Sequence, residues 1–235
     1  MKKITLATAP ILTLLLIALT ASAQTQSRED ILKELSAKRA ELAALEKRFV
    51  SPAEEDKATY ADFLRQPNTG LIRLLPREKY DNDKTLTLRG GAAYYSFSRL
   101  THEYGYGSDI ELAQGFLSTG FAGADYGIMT SLGDTPLEDV TVEGAPFLAN
   151  YAPAEELPKA RIEQRKWSES ATADGTTYTR RLLLKKNSTY LLRSVNYDNS
   201  DVLVAFRVVR VDDDDSATIL WKMLKKYPTP RLARN

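Results

Sequence analysis

The sequence predicts a mainly β fold that carries an N-terminal α-helical arm, with the strands arranged as an antiparallel sandwich or an open barrel. Two observations support this prediction. Apolar residues recur at helical spacing over residues 27–50. Beyond residue 70, short stretches rich in aromatic, Thr and aliphatic residues alternate with turns that contain Gly, Asn or Asp. The predicted regions are a signal peptide at 1–23, the helical arm at 24–69 and a β-rich domain at 70–235.

The composition argues against several classes of protein and site. The 235 residues include 32 Lys and Arg against 31 Asp and Glu, a balance that argues against a strongly basic nucleic-acid binder. The lack of Cys excludes disulfides, thiolate metal sites and a Cys nucleophile. His102 is the one histidine, so a multi-His metal site cannot form within one chain. We predict no cofactor and no nucleic-acid partner.

The first 23 residues have the pattern of a cleaved signal peptide. A basic start at Lys2 and Lys3 precedes an almost unbroken apolar run at residues 11–19. This run is too short for a spanning helix, which needs about 20 residues. Cleavage after the small residues at 21–23 would make Gln24 the first residue of the mature chain. We expect that chain to be secreted or periplasmic and to have no stable membrane span.

Residues 27–50 predict an amphipathic helix. Its apolar positions are spaced 4, 7, 3 and 4 residues apart, as in the core stripe of a coiled coil: Ile31, Leu35, Leu42, Leu45 and Phe49. Ser27 and Asp30 predict a capping box at its start, and Lys38 places a charge in the stripe. Docking of this helix on the domain, pairing between chains as a homo-oligomer, and a projecting spacer all fit the pattern. A second helix is predicted at residues 52–65.

Strands are predicted wherever aromatic, Thr and aliphatic residues cluster between turn residues. The segments in the first half are 85–89, 93–100, 110–117, 124–131 and 140–143. Three prolines make residues 144–158 a connector, because proline is excluded from central strands. The segments in the second half are 176–184, 190–197, 202–211 and 217–224, which we interpret as a meander of four strands. Residues 202–211 are apolar on both faces and are predicted to lie at the centre of a sheet.

The stretch at residues 101–109 gathers the one histidine, two acids and two tyrosines between glycines on a predicted loop. His102 is a candidate general base for a hydrolase. Its candidate partners are two acids to orient it and two hydroxyls to act as nucleophile, namely Asp109, Glu111, Ser108 and Ser98.

The same loop supports a binding hypothesis. Aromatic faces and a carboxylate would receive a glycan, another small ligand or a protein segment, and the candidate residues are Tyr104, Tyr106, Tyr126 and Asp125. Tyrosine is also an ordinary strand residue, so packing on the sheet with a solvated hydroxyl is the alternative.

Four consecutive acids at residues 212–215 predict a turn. Asp212 and Asp214 are alternate members of this run and could offer oxygens to Ca²⁺, but the run lacks the glycine and the distal acid of a calcium loop. We therefore favour a solvated hairpin tip and predict no metal.

Basic residues make part of the second half locally positive: Arg161, Arg165, Lys166, Arg180, Arg181, Lys185 and Lys186. Because Arg180 and Arg181 are neighbours in the predicted strand 176–184, they are expected on opposite faces, which argues against one anion site. We interpret these residues as solvated sheet faces and edge protection.

The leading hypothesis from the sequence is an exported, non-enzymatic module that binds a ligand or takes part in envelope assembly. Its partner would be a small ligand, a glycan or a protein. The alternatives are a hydrolase with a site around His102 and a structural protein that oligomerises through residues 27–50. His102 separates the first two hypotheses, since only the hydrolase needs this side chain.

Overall fold

The computed structural model describes residues 27–82, 85–105 and 107–233, and the chain divides into two compact units, residues 1–41 and 42–235. The described part of the first unit begins helix α1, which spans Arg28–Phe49. The Asp30 N–H donates to the Ser27 hydroxyl (3.1 Å), and the Ser27 N–H donates to the Asp30 carboxylate (3.3 Å), which forms the predicted capping box. The predicted signal peptide lies outside the described residues.

The end of α1 that belongs to the second unit contacts other residues of that unit. The Glu46 carboxylate accepts hydrogen bonds from the N–H and the hydroxyl of Thr87, at 2.5 and 2.8 Å. The Phe49 ring lies 5.7 Å from the ring of Tyr80. The apolar stripe predicted from the sequence is between 41% and 47% exposed at Ile31, Leu35, Leu42, Leu45 and Phe49. Pairing of this stripe with another chain stays a prediction.

Strand residues outnumber helical residues in the described chain, at 32% against 27%. The helices after α1 are α2 (Glu54–Thr59), α3 (Ala61–Leu64), α4 (Arg77–Tyr80), α5 (Pro146–Asn150) and α6 (Leu157–Ser168). The strands are β1 (Thr69–Leu74), β2 (Tyr94–Tyr95), β3 (Ile110–Ala113), β4 (Phe116–Ser118), β5 (Tyr126–Gly133), β6 (Ala171–Ala173), β7 (Thr176–Tyr178), β8 (Arg181–Leu183), β9 (Thr189–Asn196), β10 (Ser200–Val211) and β11 (Ala217–Lys226). The predicted fold class is confirmed: the protein is mainly β with an N-terminal helix, and its sheets pack as in a sandwich without a closed barrel. Among the described helices, none has the length and apolarity that crossing a bilayer requires.

The largest sheet has five antiparallel strands in the order β1-β11-β10-β9-β5. The predicted central strand is confirmed, because β10 lies between β11 and β9. Alternate residues of β10 point to opposite faces of the sheet. Val204 and Phe206 belong to one apolar core, and Leu203 and Ala205 belong to the other. Both faces of this strand are therefore covered by protein.

A second antiparallel sheet, β2-β3-β4-β8, supplies the other layer of the sandwich. Its residues Ile110, Leu112 and Leu117 share a core with Phe206. Helices cover the opposite face of the five-stranded sheet, where Trp167 of α6 is fully buried. The loop before α6 and the strands that follow α6 are thus attached to a sheet that has an apolar core on each face.

Several predicted strands differ from the observed ones. The meander contains three strands, β9, β10 and β11, because the predicted strand 176–184 is divided. Its first part, β7, pairs with β6, and its second part, β8, pairs with β4 of the other sheet. A bend at Arg180 separates the two parts. Residues 85–89 form no strand, and their leucines instead pack in a small core with Val50, Leu75 and Ala92.

Candidate functional site

His102 has a structural role. Its Nε2 lies 2.9 Å from the backbone oxygen of Arg73, and since that oxygen can only accept, Nε2 carries the proton and donates it. The ring packs edge-on against Tyr95, with ring centres 4.9 Å apart. Burial lowers the pKa of His102 to about 4, although the hydrogen bond to Arg73 favours the charged form. At neutral pH the ring is uncharged, and the nitrogen that faces Arg73 is not available as a base.

Ser108 and Asp109 are engaged with other groups than His102. The Ser108 hydroxyl donates to a backbone oxygen three residues earlier (3.1 Å). Asp109 is fully buried and accepts from the Phe97 N–H (2.7 Å) and from the Asn196 side-chain amide (2.8 Å). Burial raises the pKa of Asp109 to about 6. Among the described residues, no hydrogen bond joins His102, Ser108 and Asp109, so these three side chains do not form the arrangement of base, orienting acid and nucleophile.

The two remaining candidates for a hydrolase are also engaged. The hydroxyl of Ser98 lies 3.2 Å from that of Ser96. The carboxylate of Glu111 accepts the Tyr94 hydroxyl (2.7 Å) and pairs with the Arg77 guanidinium (3.2 Å). Neither side chain is joined to His102 by a hydrogen bond that the described residues contain.

Tyr104 lies half-buried against other side chains of the loop region. Its ring centre is 4.4 Å from that of Tyr94, and the Arg89 guanidinium lies 5.2 Å above the ring. Tyr106, the second tyrosine of the predicted binding loop, lies outside the described residues. The Tyr104 ring thus contacts both a neighbouring ring and a cation of the protein.

Tyr126 and Asp125, the other predicted ligand-binding residues, lie inside the fold. The Tyr126 hydroxyl meets the Tyr151 hydroxyl at 2.9 Å within the helical core. Asp125 is buried, and its carboxylate accepts from the Tyr197 N–H at 2.8 Å. Burial raises the pKa of Asp125 to about 6. These contacts fix the end of β5 against β9.

The acidic turn at residues 212–215 binds protein groups. Asp214 accepts from the Tyr80 hydroxyl (2.7 Å) and the Ser216 N–H (3.0 Å), and Asp212 pairs with Arg73 (3.1 Å). Burial alone would raise the pKa of Asp214, but the hydrogen bonds from Ser216 and Tyr80 lower it to about 2. In the described part of the chain, no group of three His, Cys, Asp or Glu side chains is placed to hold a metal ion.

Four arginines line one open pocket of about 790 Å³. This arginine pocket is formed by Arg161, Arg165, Arg180 and Arg181, with Gln164, Ser168 and the loop at residues 120–123 completing its wall. All four arginine side chains are exposed to solvent. The pocket lies where α6, the end of β4 and the start of β8 meet.

Helix α6 places two of the four arginines. Arg161 and Arg165 are four residues apart, so they lie on the same face of the helix. Trp167, which is fully buried, anchors the opposite face. The Gln164 amide donates to the backbone oxygen of Asp125 (2.8 Å) and ties α6 to the loop that forms the other wall. These anchors hold the arginine-bearing face toward the pocket.

Arg180 and Arg181 reach the same pocket because the chain bends between the strands. The Arg180 N–H donates to the Trp167 backbone oxygen (2.8 Å), and the Arg180 oxygen accepts from the Thr119 N–H (3.1 Å). Arg181 begins β8, and its guanidinium lies 4.0 Å above the Phe116 ring. The alternation of side chains along a strand does not extend across this bend. The two arginines therefore line one pocket. The prediction that they face opposite ways, which assumed an uninterrupted strand, is wrong.

The charges of the arginine pocket have no carboxylate partner within the part of the chain that the structure describes. None of its four guanidinium groups forms an ion pair with another described residue. Arg193 shows the opposite arrangement: it is 1% exposed, pairs with Asp201 (2.9 Å) and stacks on the Tyr227 ring at 3.0 Å. In the loop at residues 120–123, which forms part of the pocket wall, the backbone N–H groups donate to no other described group. The pocket thus offers many donors and a net positive charge to an anion.

The sequence contains part of the signal for this pocket. The spacing of Arg161 and Arg165 predicts a shared helical face once α6 is recognised as a helix. The bend at Arg180 has no comparable signal, because the surrounding Thr and Leu residues are typical of a continuous strand. Sequence reasoning therefore names all four arginines but does not bring them together.

Function at this pocket has to be argued from its geometry. Comparison of the chain with protein-family models, with curated proteins and with solved structures finds no match in any of the three.

Proposed function

We propose that the protein is an exported, non-enzymatic module that binds an anionic ligand in the arginine pocket. The observation that carries this proposal is that four exposed guanidinium groups line one pocket and that none of them pairs with a carboxylate of a described residue. A guanidinium group stays charged and presents planar N–H donors that match carboxylate and phosphate oxygens. Like charges held together repel each other, so an anion bound between them lowers the electrostatic energy of the pocket.

The net charge of the chain supports a local site over general attraction to anions. The formal charge is only +1, from 32 basic and 31 acidic residues. A protein with this balance has little long-range attraction for polyanions, so binding depends on where its positive charges converge. The contacts of His102, Ser108 and Asp109 give a catalytic role no comparable support, because each side chain is engaged with a different group.

A direct test is calorimetric titration with inorganic tripolyphosphate, a small polyanion. Arg165→Ala combined with Arg180→Ala should weaken its binding at least tenfold. A hydrogen bond to a charged group contributes about 1.5–3 kcal/mol, and 1.4 kcal/mol corresponds to a factor of ten. Lys185→Ala with Lys186→Ala is the matched control, because it removes the same charge from exposed residues outside the pocket.

Two results would contradict the proposal. One is that the unmodified protein binds no tripolyphosphate at physiological ionic strength. The other is that the lysine control weakens binding as much as the arginine variant does, since that would assign binding to diffuse charge. A steeper dependence on salt in the unmodified protein than in the arginine variant would support the pocket.

The exported part of the proposal depends on residues 1–23 and has its own test. Expression of the full chain in a bacterial host, followed by intact-mass measurement of the purified protein, should give the mass of a chain that begins at Gln24. A protein that keeps Met1 and stays inside the cell would contradict export. That result would leave the anion pocket unaffected.

A further inference from the structure

A second pocket adjoins the arginine pocket and shares part of its wall. This polar annex has a volume of about 180 Å³ and is lined by Arg180, Arg181 and Phe121, which also line the arginine pocket. Its remaining wall includes Glu111, Gln114 and Ser118. A ligand larger than a single oxyanion can therefore extend from the arginine pocket into the annex.

The annex differs chemically from the arginine pocket. Glu111 brings a carboxylate whose charge is already balanced by Arg77 at 3.2 Å. Ser118 adds a hydroxyl, and Gln114 adds a side-chain amide whose oxygen accepts from the Arg181 guanidinium at 3.5 Å and whose nitrogen can donate to a ligand. This set contains both acceptors and donors, which is what a ligand bearing several hydroxyl groups needs. Because Arg77, Arg180 and Arg181 also line the annex, these hydroxyl-binding groups lie beside positive charge that can hold the acid group of the same ligand.

An aromatic ring stands between the two pockets. Phe121 is partly exposed, and its ring meets the Tyr94 ring edge-on at 90° with centres 5.2 Å apart. The hydroxyl of Tyr94 is in turn held by Glu111 at 2.7 Å, so the orientation of the Phe121 ring is supported from behind. A flat apolar ring beside hydrogen-bonding groups fits the C–H face of a sugar ring, whose edge carries hydroxyls.

We propose that the ligand of this surface is an acidic oligosaccharide. Its acid group binds in the arginine pocket, and the neighbouring sugar ring lies on Phe121 with its hydroxyls in the polar annex. This inference rests on the proposed anion-binding function and specifies its ligand class. The two joined pockets extend well beyond one oxyanion, and the concave shape suits a chain that enters a groove better than a flat membrane surface.

The test compares three soluble probes in calorimetric titrations: tetragalacturonate, its fully methyl-esterified form and tetraglutamate with both termini blocked. The first and third carry four carboxylates each, and the second carries none. We expect tetragalacturonate to bind at least tenfold more tightly than tetraglutamate, and the ester to show no measurable binding. Phe121→Ala should remove the advantage of the sugar, so that in this variant tetragalacturonate binds no more tightly than tetraglutamate does. Leu183→Ala, which removes an exposed apolar side chain of β8 outside both pockets, is the matched control and should change neither affinity.

The outcomes separate the two proposals. Equal affinities for the two acids, unaffected by Phe121→Ala, would overturn the saccharide inference and leave a general carboxylate pocket. Binding to anionic vesicles with no affinity for tetragalacturonate would also overturn it, in favour of a membrane surface. If neither acid binds while tripolyphosphate does, the saccharide inference is wrong and the anion pocket remains. If tripolyphosphate does not bind either, or if the Arg165→Ala and Arg180→Ala double variant binds these anions as well as the unmodified protein does, then the proposed function itself is wrong.

Discussion

In the loop at residues 101–109, Asp109 is fully buried and His102 donates to a backbone oxygen, whereas in the arginine pocket Arg161 and Arg165 are exposed and lack ion-pair partners among the described residues. The loop contains the residue types that attract attention in a sequence, and their polar atoms stabilise the fold. The pocket is built from ordinary arginines that are scattered along the chain. This comparison indicates that a side chain available for a ligand is recognised by the absence of ion-pair partners within the fold more than by the rarity of its residue type in the sequence.

The largest expected effect is on stability, at Asp109. Asp109→Ala would leave the Phe97 N–H and the Asn196 amide buried without their acceptor. Each unsatisfied buried donor costs about 1–3 kcal/mol, so unfolding by urea should show a loss of about 2–6 kcal/mol. Asp109→Asn, which keeps the shape and one oxygen, should lose less. A loss below about 1 kcal/mol for the alanine variant would show that Asp109 does not stabilise the fold, and the contrast between the loop and the arginine pocket would fail.

The next effect is on the pH dependence of stability, where His102 and two buried aspartates act in opposite directions in the unmodified protein. The pKa of His102 is lowered from 6.5 to about 4, so its contribution to stability is complete above pH 6.5 and is lost as the pH falls toward 4. The pKa values of Asp109 and Asp125 are raised from 3.8 to about 6, so their contribution is complete below pH 3.8 and is lost as the pH rises toward 6. His102→Gln, which retains a donor for Arg73, removes the first contribution. Its unfolding free energy should therefore fall more steeply with rising pH between 4 and 6 than that of the unmodified protein. An identical slope in the two proteins would contradict the assigned protonation of His102.

A smaller effect is expected at the acidic turn. Asp214→Asn weakens the acceptor of the Tyr80 hydroxyl and the Ser216 N–H, and should cost about 1–3 kcal/mol at neutral pH. Because the pKa of Asp214 is lowered from 3.8 to about 2, the difference between variant and unmodified protein should be present above pH 3.8 and disappear as the pH falls to about 2. Asp213→Asn is the control, since Asp213 is exposed and should change stability by less than about 0.5 kcal/mol. Equal effects at the two positions would mean that the turn is a solvated hairpin tip whose carboxylates do not stabilise the fold.

The smallest stability effect is expected in the arginine pocket. Arg165→Ala and Arg180→Ala should each change the free energy of unfolding by no more than about 0.5 kcal/mol, because neither exposed side chain has an ion-pair partner among the described residues. Urea unfolding at low and high salt would measure this change. A loss above 1 kcal/mol would mean that these arginines hold the fold, and the contrast with Asp109 would fail.

Most of the fold follows from local patterns in the sequence. The alternation over residues 202–211 predicts a central strand, because only a strand covered on both faces is apolar on both faces. The pair Asp174-Gly175 is typical of a tight turn before the predicted strand 176–184, and in the structure it joins β6 to β7, with positive φ at both residues, 48° and 74°. Strand β1 gives no such signal. Its pairing with β11 depends on residues far away in the chain, which local patterns do not reveal.

The candidate site is less predictable for a physical reason. Alternation places Arg180 and Arg181 on opposite faces only while the strand continues, and the bend arises from backbone hydrogen bonds to Trp167 and Thr119. Those partners belong to α6 and to the end of β4, so the bend is a tertiary effect. That none of the four arginines of the pocket forms an ion pair with a described residue is likewise a property of the folded surface. A sequence lists charges, but the distances between them decide which of these charges remain available.

The pairing of β1 with β11 joins residues 69–74 to residues 217–222, which lie far apart in the sequence. The five-stranded sheet cannot close until the last strand has been synthesised, and the loop that must close is long. Such distant pairing slows folding, because chain entropy is lost before the contacts are gained. An incomplete chain would leave β10 with a free edge and β1 without a partner. The order of synthesis thus keeps the growing polypeptide from completing its largest sheet before β11 has been made.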